Sequence, residues 1–150
     1  MSVIETGGET QKDPVATIDV NALDWNLANI VSFVNKTNIN IDITLTVGGT
    51  LLSGRLISGK EYFESVAEGL NNSSPAEGTV GNLLAEYMSN VAKEQYSDGG
   101  DASITSFIHL ANAQHFSGVT PIPTKGTYWR GRLCDVSGYS FGSLSIGEAE

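Results

Sequence analysis

Covalent cross-links cannot hold this chain together, because Cys134 is its only cysteine and has no intrachain partner. His109 and His115 are its two histidines, so Cys134, His109 and His115 are the only cysteine and histidine ligands a metal could use. They show no C-x-x-C or H-x-x-x-H spacing, which leaves no zinc signature and no expected cofactor. Basic residues are also scarce: 8 Lys and Arg stand against 17 Asp and Glu, a formal charge of -9. Such a balance repels phosphate backbones at long range and disfavours general nucleic-acid binding. No apolar run approaches the ~20 residues that cross a bilayer, so no membrane partner is expected. Met1 is followed by a polar stretch without a basic and apolar leader, which points to a cytoplasmic protein.

What is present is enough for one domain with its own core. Residues 1–21 are polar and acidic without sustained periodicity, and read as a flexible tail before a single domain over 22–150. Asp24 is placed to cap a helix whose apolar residues Leu27, Ile30, Val31 and Val34 fall on one face. From Ile39 to Val47 the period becomes two, with isoleucine, leucine or valine alternating with Asn, Asp and Thr, the pattern of a half-buried strand. Gly48-Gly49 suits a hairpin turn, the stretch TLLSGRLIS reads as the return strand, and Gly54 is a bulge candidate.

Two amphipathic helices follow, one carried by Tyr62, Phe63, Val66 and Leu70, the other by Val80, Leu83, Leu84, Tyr87, Met88 and Val91. The run SFIHLANAQHF reads as a strand and SGVTPIPTKG as a loop, while TYWRGRLCDV and YSFGSLSI flank a turn at Ser137-Gly138. The expected fold is α+β: a mostly antiparallel sheet of about five strands covered by an N-terminal helix and two inserted helices. A small barrel of Sm-like type is the alternative architecture.

Three motifs invite catalytic or binding readings. GYSFG, Gly138 to Gly142, spells a nucleophile elbow around Ser140, yet no histidine follows and the setting is a strand rather than a strand-to-helix turn. GRLISGK, Gly54 to Lys60, has P-loop spacing, but Glu61 occupies the place of the magnesium-binding hydroxyl. His109 and His115 are expected on one strand, facing water or a sheet rim, and Cys134 is expected to pack as a small apolar residue. A hydrolase would need Ser140 or Cys134 to meet one of the histidines in a deep pocket.

The segment YWRGR remains. Strand alternation puts Tyr128, Arg130 and Arg132 on one face and Trp129 with Leu133 on the other, where the tryptophan serves the core. A face with one tyrosine and two arginines suits contact with another protein, and Tyr128, Arg130 and Arg132 are the candidate partner-binding residues. An Sm-like RNA-binding protein is the competing reading of the same face.

Three blocks together, Ile39 to Leu70, Phe107 to Gly118 and Pro123 to Ser145, resemble the gas vesicle accessory protein GvpU family. The resemblance implies a non-enzymatic cytoplasmic protein that associates with gas vesicles and takes part in their assembly or clustering. Its implied partners are the vesicle shell, other gas vesicle proteins and further copies of itself. It carries no catalytic, cofactor or metal-binding residue onto this chain.

Overall fold

A computed structural model describes residues 23–73, 75–96 and 106–144. The acidic stretch over 1–21 lies outside these residues. Three helices and five strands follow in the order α1 (Trp25–Thr37), β1 (Ile41–Val47), β2 (Thr50–Ile57), α2 (Gly59–Ser73), α3 (Val80–Gln95), β3 (Phe107–Ser117), β4 (Thr120–Arg132) and β5 (Val136–Phe141). All strand pairs are antiparallel, in the spatial order β4-β3-β2-β1-β5. The fold is thus of the expected α+β class.

Local chemistry accounts for the first elements. The Asp24 side chain accepts hydrogen bonds from the Asn26 and Leu27 amides, satisfying donors that the first turn of α1 leaves free. Leu27, Val31 and Val34 then form one buried stripe. It meets the apolar face of the sheet, where Ile43, Leu45, Leu52, Leu56, Ile108, Leu110 and Ala113 assemble into the main core. Burying each large aliphatic side chain there contributes about 1.5–3 kcal/mol.

β1 and β2 form the hairpin that the alternation predicts, Val47 pairing with Thr50 across Gly48 and Gly49, both at positive φ. The bulge expected near Gly54 also exists, but the inserted residue belongs to β3. Ser53 pairs with Gln114 and Arg55 with Ala111, leaving Asn112 in the left-handed region at φ 57°. Gly54 faces this bulge at short range: a Cβ there would lie 2.9 Å from the Ala111 carbonyl oxygen and 3.1 Å from the Ala113 Cα. Glycine is required because β3 comes too close for any side chain.

Two expectations are corrected. The stretch 117–126 is not a loop, since only Gly118 and Val119 turn the chain and β4 begins at Thr120. Pro121 and Pro123 are tolerated because β4 is an edge strand, where a missing N–H need not break a ladder on the open side. The Gln114 side-chain amide donates to the Pro123 and Thr124 carbonyls, at 3.1 and 2.9 Å, where the ladder is interrupted.

Nor do β4 and β5 form a hairpin about Ser137-Gly138. A 3₁₀ turn at Leu133–Asp135 carries the chain across to the far edge, where β5 pairs with β1. Leu133 drives this crossing by entering the main core while its amide donates to the Ser106 carbonyl at 2.8 Å. Four residue steps reach at most about 14 Å, whereas four gaps in a flat sheet span about 19 Å. The sheet is therefore strongly rolled. It is not closed, however: β4 and β5 remain its two edges, so the small-barrel alternative is not realised.

On the opposite face a relay pins the chain after β5. The Leu144 amide donates to Ser53 Oγ at 2.6 Å, and Thr44 Oγ1 donates to the Gly142 carbonyl at 2.8 Å. With those roles assigned, the 3.1 Å contact between the two hydroxyls has Ser53 donating to Thr44. Among the described residues no helix is long and apolar enough to cross a membrane.

The bulge geometry makes a direct prediction. Gly54→Val should lower the unfolding free energy by about 1–3 kcal/mol, the usual cost of overpacking, measured by urea denaturation. Wild-type stability in that variant would refute the close approach of β3.

Candidate functional site

Register brings the three arginine-face residues together as the alternation requires: Arg132 pairs with Phe107, Arg130 with His109, and Tyr128 follows on the same side. Trp129, opposite Leu110, packs on the main core from the other face. The three residues nevertheless have different surroundings. Tyr128 is exposed, with its ring centroid 6.4 Å from that of Tyr62 of α2 in an edge-to-face arrangement. Arg132 is exposed and held by Asp135, with Nε and Nη2 donating to the carboxylate at 2.9 and 3.1 Å. That hydrogen bond, then the charge of Asp135, raises the Arg132 pKa.

Arg130 is half-buried. Its guanidinium lies over the Phe107 ring, 3.8 Å from the centroid, and 5.2 Å from that of Phe63. Nη1 reaches His109 Nε2 at 2.8 Å. An arginine N–H can only donate, so Nε2 accepts and the imidazole proton resides on Nδ1. That Nδ1 is buried and has no hydrogen-bond partner.

His109 faces neither water nor a sheet rim; only 1% of it is exposed. The rings of Tyr62, Phe63 and Tyr96 enclose it, with centroids 4.9, 6.0 and 5.9 Å away. Burial first, and the Arg130 charge second, push its pKa down to about 3, so it is neutral near pH 7. Helix α2 supplies Tyr62 and Phe63 from its first turn, which starts immediately after β2 with Ser58 Oγ accepting from the Glu61 amide. Gly59 makes room for Tyr96, whose ring a Cβ at that position would overlap.

A cavity of about 390 Å³ opens beside Arg130. Phe63, Val91, Tyr96 and Phe107 form its apolar walls, Glu94 lies at its edge, and Tyr87 joins it to the outer surface of α3. That outer surface overturns another expectation. Val80, Leu83, Leu84 and Tyr87 face away from the protein, with exposures of 81, 56, 41 and 61%, while Ala85 and Ala92 face inward. Small residues allow α3 to lie close to its neighbours, and the bulky stripe is left outside.

The other sequence candidates are scattered. Ser140 is exposed on β5, paired with Thr44, and two strands separate β5 from the strand bearing both histidines. Cys134 is exposed rather than packed, because Leu133 takes the inward position of the 3₁₀ turn. The segment from Gly54 to Lys60 is strand β2 running into α2. Among the described residues, no three His, Cys, Asp or Glu side chains gather where a metal could be held. With Arg132 engaged by Asp135 and Trp129 turned inward, nothing in this arrangement supports the RNA-binding alternative.

Sequence reasoning missed the burial of His109 and the aromatic frame around Arg130. A signal existed in FIHLA, where both alternating sets lack charge, as in a strand covered on two sides.

A pH prediction follows from His109. Its folded pKa is below the ordinary value of 6.5, so unfolding takes up a proton between about pH 3 and 6.5. The contribution of neutral His109 is full above about pH 6.5 and is lost on acidification, with a limiting slope of about 1.4 kcal/mol per pH unit. His109→Gln should flatten the stability profile between about pH 5 and 6.5, measured by urea unfolding across that range. Parallel profiles for the two proteins would contradict a buried neutral imidazole.

Comparison with known proteins places the chain. No curated protein and no solved structure matches it. One family model, described as "Gas vesicle protein GvpU-like", matches residues 24–144, from the cap of α1 to the segment pinned after β5. Its span takes in every helix and strand described above, and the chain belongs to the GvpU-like family of gas vesicle proteins.

Proposed function

We propose that this protein is a non-enzymatic accessory protein that acts in the cytoplasm at the gas vesicle surface and regulates vesicle assembly or clustering through self-association. Family membership supports the vesicle association. The observation that carries the adaptor reading is the outward stripe of Val80, Leu83, Leu84 and Tyr87, an i, i+3, i+4, i+7 set on α3. Four large apolar side chains on one helix face are a contact surface in need of a partner.

The β4 edge offers a second contact. Tyr128 and Arg132 stand at its exposed rim, with Arg130 set back between aromatic rings. Two separate surfaces let one copy bind its neighbour and the vesicle shell at once. Contacts that are weak singly then add by avidity when many copies occupy one large particle. Glu61, Glu64, Glu68, Glu86 and Glu94 make the helix hairpin acidic, which favours shell or partner segments of opposite charge.

Sedimentation of the protein alone and with purified gas vesicles tests both contacts. Leu83→Glu/Tyr87→Glu should reduce oligomer size and vesicle clustering at least about tenfold, as expected when apolar contact residues are replaced by charge. Tyr128→Ala/Arg132→Glu should weaken vesicle co-sedimentation while leaving the fold intact by circular dichroism. If both folded variants cluster vesicles like the wild type, the adaptor reading is wrong in its surfaces. If the wild type does not sediment with vesicles, it is wrong in its partner.

A further inference from the structure

The two arginines of β4 are neutralised in the opposite order from what solvation demands. Arg132 is exposed, where water would suffice, yet it has a carboxylate at 2.9 Å. Arg130 is half-buried, where water is partly excluded, yet among the described residues its only hydrogen-bond partner is the neutral ring of His109. A neutral acceptor fixes the guanidinium without cancelling its charge. Stacking on Phe107 and proximity to Phe63 restrict it further. Such a cation is ordered in advance and partly dehydrated, the condition under which an incoming anion gains most.

The cavity beside it selects the kind of anion. Phe63, Val91, Tyr96 and Phe107 offer hydrocarbon walls, and about 390 Å³ is of the size that takes a small organic molecule. A phosphate or sulfate would lose hydration against these rings with little return, whereas a carboxylate on an apolar group satisfies both parts of the site. We propose that this pocket binds a carboxylate carried on an aromatic or branched aliphatic group, Arg130 taking the carboxylate and the aromatic walls taking the hydrocarbon. The same chemistry belongs to a small free acid and to an acidic residue next to an aromatic one in a polypeptide.

Glu94 borders the cavity without reaching ion-pair distance of Arg130, and it repels a bound carboxylate modestly. Asp98 and Asp101 lie in the segment 97–105, outside the described residues, and are replaced together with Glu94 in one variant of the test.

The test is a calorimetric and NMR titration of the full chain with three probes: 3-phenylpropionate, the capped dipeptide acetyl-Glu-Phe-amide, and inorganic phosphate. Saturable binding of either carboxylate, with phosphate at least about tenfold weaker, is the expected result; which carboxylate binds more tightly identifies the source. Arg130→Gln should weaken binding about tenfold or more. Val91→Trp fills the cavity from α3 without altering β4 and should abolish binding in a protein that still unfolds at the wild-type urea midpoint. Glu94→Gln should tighten it. The proposal is overturned if neither carboxylate binds to the wild type or to an Asp98→Asn/Asp101→Asn/Glu94→Gln variant, if phosphate binds as well as they do, or if folded Val91→Trp binds unchanged. No vesicle is needed in these titrations, so a negative result here leaves the adaptor reading to be decided by co-sedimentation.

Discussion

Strand β3 is covered on both of its faces, and the character of the surface follows from that constraint. Ile108 and Leu110 enter the core beneath α1. The intervening residues His109 and Ala111 are buried on the opposite face, where Tyr62 and Phe63 of α2 lie against the imidazole. A histidine in that position stays uncharged near neutral pH, because burial and then the Arg130 charge both penalise its protonated form. Its lone pair turns to Arg130 of β4, which is thereby held still but left charged. One sheet face thus makes an interior and a poised cation from adjacent strands.

The helix hairpin completes the cover only in part. Phe63 and Ala67 of α2 and Ala85 and Ala92 of α3 turn inward, so close contact is made by small groups and one aromatic ring. The price is an outward stripe of large residues on α3. In the adaptor role proposed above, that stripe is one of many weak contacts that add by avidity on a large particle. The cavity lined by α3 and β4 is the place proposed for a carboxylate beside Arg130.

Much of this fold was legible. The strict alternation from Ile39 to Val47, the glycine pair after it and the Asp24 cap each act over a few residues, and local rules describe them well. The division of Tyr128, Arg130 and Arg132 from Trp129 was legible for the same reason, since a strand has a period of two. Longer-range competition decided the rest. β5 left its neighbour in sequence because Leu133 was drawn into the core and β1 offered a free edge. The prolines of β4 read as a loop until the strand proved to be an edge. The α3 periodicity correctly marked a helix, but it could not say that alanines rather than leucines would face inward. His109 was misplaced because its cover comes from α2 and Tyr96, far from it in sequence.

The central claim is that double-sided burial of β3 keeps His109 neutral and leaves the charge of Arg130 unspent. The ¹⁵N chemical shifts of the His109 ring, followed from about pH 5 to 8 by NMR, measure this most directly. The account predicts a neutral ring throughout, with the proton on Nδ1 and Nε2 acting as an acceptor. A titration midpoint near the ordinary 6.5, or a proton on Nε2, would contradict it.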